Sequence, residues 1–291
     1  MTAEYFGTGS KIPRGRGMAQ KSLDLIEEMR ARIQPVQPVT GRGVAYILFI
    51  ANLILSMAKS ETAKVYRLLT LARERGIIPP EWIVDEHGHR ERAATWDDPD
   101  EYTDCVISGY RRNHWLQQPV RVLLASEKGT VRGLLLPVIE FYGVDFQPMG
   151  GFGSFNKTNN IAQDDDGRPL IMLYVGDHDP SGMWMSERDL PDRISGYGGD
   201  HVTIKRIALK QGDLSSLPSF PRVRQERYKW HVENYGDRCW EIDAMNPNDL
   251  RDRVEQEIVS LIEPTAWERC KVVERAQRDT LREALEGWSG E

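Results

Sequence analysis

The sequence is poor in cysteine and holds no apolar run long enough to span a bilayer. Its 291 residues include three cysteines, Cys105, Cys239 and Cys270, far apart and in no CxxC pairing. That excludes a disulfide framework and a zinc ribbon, and it agrees with a reducing cytoplasm. The most apolar stretch, residues 44–58, is short and carries Asn52 and Ser56, so it reads as a buried helix and implies no membrane role. Lys11, Arg14 and Arg16 lie near the N-terminus, but they lead into the amphipathic stretch 22–33 and not into a signal-peptide core. Internal repeats are lacking as well. What is present is 40% hydrophobic and 28% charged residues with a mean hydropathy of -0.51, the composition of a globular chain with one large domain or two modest ones.

A net charge of -6 counts, taken whole, against a partner as acidic as DNA. The total averages two unlike parts. Residues 1–80 carry 12 Lys and Arg against 6 Asp and Glu, and the remainder carries 26 against 38. The basic N-terminal part alone has the footprint of a phosphate binder.

Residues 1–18 are rich in Gly and basic residues and read as a flexible arm. Helical periodicity runs through Leu23, Ile26, Met29 and Ile33 and stops at Pro35 and Pro38. A second helix is expected over residues 44–57, and a third from Ser60 to the stop at Gly76, followed by the extended, hairpin-like IIPPEWIVDE. Three short helices and an extended piece form the pattern of a winged helix over residues 19–86, with 63–75 facing DNA and Arg67 and Arg73 as backbone contacts. Solvated arginines give the same pattern. Residues 87–118 read as a polar connector with one helix near 98–108. From residue 119 onward, the strands VRVLLAS, VDFQPM, LIMLYVG and VTIKRIAL alternate with helices at 130–142 and 186–194. This predicts a parallel α/β sheet covered on both faces, closed by two C-terminal helices within 249–285.

In such sheets the reactive groups lie beyond the carboxyl ends of the strands. VRVLLAS runs into Glu127, and LIMLYVG runs into Asp177-His178-Asp179-Pro180-Ser181-Gly182. Asp177 and Asp179, two residues apart, project to one side, and Glu127 on a neighbouring strand could join them. Three close carboxylates repel, and a hard divalent cation, Mg2+ or Mn2+, would hold them together. DHDPSG has equally the composition of a solvated turn; His178 reads as a spacer between the acids. Lys128 is placed to meet phosphate, and the Gly-rich loop 150–160, with Gly151, Gly153, Ser154 and Lys157, could line a DNA path. Residues 164–166 read as a solvated acidic turn. Glu241 and Asp243 alternate with Trp240 and Ile242 as in a half-buried strand, pointing either to the acidic cluster or into structural ion pairs.

A strand followed by Glu-Lys and a helix, then a strand ending in DHDPSG, resembles the Toprim domain, in the form found in the superfamily that unites the A-type chain of topoisomerase VI with the meiotic double-strand-break transesterases. Arg42-Gly43-Val44-Ala45-Tyr46 resembles that superfamily's winged-helix motif, an Arg with the attacking tyrosine four positions on. CWEIDAMNPNDLR resembles its ELDAL-type segment. The likeness covers most of residues 36–262 and is strongest to the short, stand-alone "mini-A" type. It departs where Ala45 replaces a frequent second tyrosine. It implies a winged-helix domain followed by a Toprim domain over 119–291, with Tyr46, Arg42 and Glu127 catalytic and Glu127, Asp177 and Asp179 holding Mg2+. It also implies a homodimer cutting double-stranded DNA by transesterification, a cytoplasmic, nucleoid-associated location, and a separate B-type ATPase subunit. Chemically, Tyr46 needs something to offset its ordinary pKa of about 10, and Arg42 one turn away is placed to do so. An aromatic within VAYILFIANLIL also reads as core. A Toprim nuclease with water as nucleophile, and a catalytically silent DNA-binding protein, remain as alternatives.

Overall fold

The computed structural model describes residues 19–84, 94–150, 155–221, 228–286 and 288. The basic arm, the start of the connector, and Gly151, Gly153 and Ser154 lie outside those residues. The chain is mixed α/β, mostly helical, around a four-stranded parallel sheet.

Three helices form an N-terminal unit with a core of its own: α1 (Gln20–Ile33), α2 (Gly41–Ile50) and α3 (Lys59–Glu74). Met29, Ile33, Val44, Leu48, Val65 and Leu68 are sealed from solvent at its centre. α2 starts earlier than hydrophobicity suggests because Thr40 caps it, its hydroxyl accepting from Gly43 N at 2.8 Å. It also ends earlier than expected. The apolar run continues to Ile54, but Asn52 takes a left-handed φ of 57° and Leu53 N returns to Leu48 O, closing the helix. The extended piece after α3 does not fold on itself within the described residues. Instead β2 (Ile83–Val84) pairs in parallel with β1 (Val39–Thr40), just before the tyrosine helix.

The connector carries α4 (Pro99–Gly109), capped by Asp98 with Pro99 in its first turn. The sheet has the order β4-β3-β5-β6, built from β3 (Arg121–Ser126), β4 (Asp145–Pro148), β5 (Leu170–Val175) and β6 (Val202–Ala208), all parallel. Alternation along the strands serves two cores. Leu124, Leu173 and Val175 face one, with α5 (Thr130–Tyr142) and α10 (Pro247–Val259); Ala125, Met172 and Tyr174 face the other, with α6 (Phe155–Gln163) and α8 (Leu190–Gly196). α6 occupies a stretch whose sequence predicts loop. Its Asn- and Thr-rich composition has weak helix propensity, but burying Thr158, Ile161 and Ala162 against α8 overrides that. α11 (Pro264–Leu285) closes the chain and packs against α4.

The two units are docked through Arg251 of α10, which donates to Val36 O at 2.8 Å, Gln37 O at 3.0 Å and Leu134 O at 3.1 Å. These bonds set the N-terminal helices beside the sheet. Among the described residues, no helix is long and apolar enough to cross a membrane.

Candidate active site at the carboxyl end of the sheet

β3 and β5 are neighbours with Ser126 opposite Val175, so Glu127 and Asp177 leave the sheet side by side at its carboxyl end. DHDPSG is not a solvated turn: Asp177, His178 and Asp179 are all buried, and the motif starts a helix, α7 (Pro180–Trp184). Asp179 is its N-cap, Oδ1 accepting from Ser181 N at 3.0 Å and Gly182 N at 2.8 Å, and Pro180 fills the first helical position. Only glycine fits at position 182, because a Cβ there would lie 2.3 Å from Asp177 O. α7 continues into α8 through a π-helical turn, Met185–Asp189.

Asp177 accepts from Ile242 N at 2.8 Å and from the Lys128 ammonium at 3.0 and 3.1 Å. The same ammonium lies 3.0 Å from Asp243, whose other oxygen accepts from Thr40 Oγ1 at 2.5 Å. Thr40 is the cap of α2, so one chain of hydrogen bonds runs from the sheet to the helix that carries Arg42 and Tyr46. Burial works against charge on Lys128, but Asp177 and Asp243 more than offset it and hold the ammonium firmly protonated. Burial pushes the Asp177 carboxyl up while Lys128 and Ile242 N pull it down. The ammonium and the amide, both within 3.1 Å, favour the ionised pair.

Glu241 and Asp243 are not on a strand. β8 (Arg238–Cys239), antiparallel to β7 (Phe220–Pro221), ends in a bridge between Trp240 and His178, and a single 3-10 turn, Ile242–Ala244, comes next. That turn packs on α2. Glu241 forks the Arg42 guanidinium, taking Nε at 2.7 Å and Nη2 at 2.9 Å. Arg42 also lies over the Tyr46 ring, 5.4 Å from its centroid. Tyr46 is 2% exposed. Burial and Glu241 push its phenol above the ordinary range, and Arg42 opposes them without reversing the shift. Arg42 and Tyr46 nonetheless border a cavity of about 330 Å³ with Phe49, Met57, Pro218 and Phe220.

A half-buried cation that the sequence motifs do not include fixes DHDPSG in place. Arg206 on β6 donates to Gly176 O at 3.0 Å, Gly182 O at 3.2 Å, Ser186 Oγ at 2.9 Å and Leu209 O at 3.0 Å, and also to Asp177 O. Its signal in the sequence is a charge amid the apolar run of VTIKRIAL. Around His178, which is 1% exposed, lie the rings of His231 and Tyr235 from α9 (Tyr228–Tyr235) and of Trp240. Arg67 is exposed and Arg73 half-buried on α3, away from these contacts.

A metal is the cofactor the sequence leads one to expect here, and the donor set can be tested against it. Asp177 is engaged by Lys128 and an amide, and Asp179 spends an oxygen on its own helix. Among the described residues, no group of three or more His, Cys, Asp or Glu is arranged to hold a metal ion. In this arrangement Glu127, Asp177 and Asp179 do not form a ligand set. No protein-family model, curated protein or solved structure significantly matches the chain.

Proposed function

We propose that the chain is a DNA-cleaving transesterase of the topoisomerase VI A type, its N-terminal helices serving as a winged-helix domain and its sheet as a Toprim domain. It would act as a homodimer on double-stranded DNA, with strand passage assigned to a separate ATPase subunit. The observation that carries this reading is the convergence of two remote motifs. Arg42, which lies over the Tyr46 ring, is held by Glu241, and their helix cap is joined through Asp243 and Lys128 to Asp177. A guanidinium, an ammonium and a phenol at the carboxyl end of a parallel sheet are groups suited to a phosphodiester.

In the reaction, the Tyr46 oxygen forms a bond to phosphorus while the P–O bond to the neighbouring deoxyribose breaks. The phenolic proton passes to a base, for which Glu241 is adjacent, and the departing oxygen gains a proton to become a hydroxyl. Arg42 neutralises the phosphate. No step is assigned to a metal. The attack requires Tyr46 to be uncovered, since it is 2% exposed as it stands.

That burial favours a second reading, in which Tyr46 is structural and the protein binds DNA without cutting it or cuts it with water. The deciding experiment incubates labelled duplex DNA with the full chain in EDTA, Mg2+ and Mn2+, and looks for protein covalently attached to DNA ends. The transesterase reading expects an adduct that Tyr46→Phe abolishes. Free ends produced equally by wild type and Tyr46→Phe would replace it with the nuclease. DNA binding without cleavage under every cation would leave the silent binder.

A further inference from the structure

Lys128 stands where an external cation would otherwise be needed. Its ammonium touches two carboxylates that are nearly removed from solvent: the side chain of Asp177 is 10% exposed and that of Asp243 is 5% exposed. Two such groups cannot both stay ionised side by side without a counter-charge. Lys128 supplies it at 3.0 Å on each side, in a triad whose remaining bonds are also made: Ile242 N on Asp177, Thr40 Oγ1 on Asp243. Asp243 belongs to no metal motif, and its other oxygen is committed to the cap of α2. The triad is therefore closed in hydrogen bonds, with one ammonium shared between two carboxylates.

We propose that Lys128 is the resident cation of this site, a positioning residue that bridges Asp177 and Asp243, offsets their mutual repulsion and ties the end of the sheet to the helix carrying Tyr46. From the proposed function this takes only the location of the site. The free protein accordingly has no need of a divalent ion at Asp177, and a metal arriving there must first displace the ammonium. Removing the lysine leaves two buried carboxylates facing each other, which weakens the fold and creates a cation site that wild type does not offer.

The test is a set of thermal melts of the full chain in EDTA and in millimolar MgCl2 or MnCl2, together with titration of the free protein with Mn2+ followed by electron paramagnetic resonance. Wild type should melt at one temperature in all three solutions and leave Mn2+ free. Lys128→Met should melt lower in EDTA by about 4–8 °C and recover in Mn2+. Lys128→Arg, which keeps the charge, should remain indifferent to cations. Lys128→Met combined with Asp177→Asn and Asp243→Asn should regain most of the loss and not respond to Mn2+. Wild type that binds Mn2+ and melts higher with it would overturn the proposal, as would Lys128→Met melting at the wild-type temperature. If Lys128→Met does not fold, the wild-type titration and the triple variant still decide. These readouts involve no DNA, so they fail or succeed separately from the covalent-adduct assay.

Discussion

Replacing Arg206 with Met removes a side chain that holds the DHDPSG segment in place. Five acceptors lose a charged donor: the carbonyls of Gly176, Asp177, Gly182 and Leu209, and the hydroxyl of Ser186, although Gly176 O keeps Leu209 N and Gly182 O keeps Ser186 Oγ. Bonds from a charged donor contribute roughly 1.5–3 kcal/mol each. Against them stands the removal of a guanidinium from water, a penalty of several kcal/mol, felt here as burial lowering its pKa. The net loss expected for Arg206→Met is about 3–5 kcal/mol, because the acceptors stay buried and only the donor goes. Urea denaturation followed by tryptophan fluorescence reads this directly, as Trp184 and Trp240 flank the segment. With a slope of about 2–3 kcal/mol per molar, the midpoint should fall by more than about 1 M. Arg206→Lys should recover part of the loss, since an ammonium supplies three donors but not the planar fork. A midpoint for Arg206→Met within about 0.3 M of wild type would refute the reasoning and mean that water replaces the guanidinium at little cost.

Gly182→Ala places a Cβ 2.3 Å from Asp177 O, a backbone atom that cannot swing away, and should cost about 1–3 kcal/mol as a lowered melting temperature; an unchanged melt would show that α7 shifts freely. His178 is held neutral, its pKa lowered to about 4 by burial first and then by Arg206 and His231, whereas the unfolded ring titrates near 6.5. Its contribution is thus complete above about 6.5 and is lost as pH falls towards 4, by about 2–3 kcal/mol. Denaturation of wild type and His178→Phe at pH 7 and 4.5 should show the larger acid loss in wild type, and parallel losses would exclude His178 as the cause. Charge reversal at Arg67 and Arg73 should weaken duplex binding and lower the slope of log affinity against log salt by about one unit for each phosphate no longer neutralised, and unchanged binding would detach the basic half from DNA.

Much of the sheet is legible in the sequence because its physics is local. Strand β3, helix α5 with its stop at Gly143, and the acids at the strand ends follow from alternation, length and a glycine. Asp98-Pro99 announces α4 by its cap and first position. The same pair of residue types in Asp179-Pro180 has the composition of a turn, although it starts α7 in the same way; the short helix beyond it offers too little periodicity to tip the balance. The end of α2 is hidden because the apolar run outlasts the helix, and α6 is hidden because packing rather than propensity makes it. The site is legible in its residues but not in its wiring. Thr40 and Asp243 are 203 positions apart, and Arg42 and Glu241 are 199 apart. No periodicity links them, so the sequence leaves Glu241 and Asp243 open between the acidic cluster and ion pairs. Glu241 takes the second role, Asp243 takes both by sharing Lys128 with Asp177, and Lys128, expected to meet phosphate, is paired with these two carboxylates.

This wiring bears on what DNA would have to do. A scissile phosphate and Glu241 compete for the same guanidinium, because Arg42 already spends Nε and Nη2 on the carboxylate. Phosphate at Lys128 likewise competes with Asp177 and Asp243. Each cation of the arrangement is thus already paired within the fold, with Tyr46 buried beside Arg42. In the acidic remainder of the chain several carboxylates are also paired within the fold: Asp213 by Arg253, Glu257 by Lys205 and Lys210, Asp164 and Asp166 by Arg121. Arg30, Lys64, Arg67 and Arg75 of the N-terminal helices, by contrast, face solvent. A polyanion approaching these helices would meet net positive charge on α3, since Asp24, Glu27 and Glu28 balance the bases of α1. To reach Arg42 and Lys128 it would have to displace the carboxylates that hold them, so phosphate binding at the site would be opposed by these ion pairs.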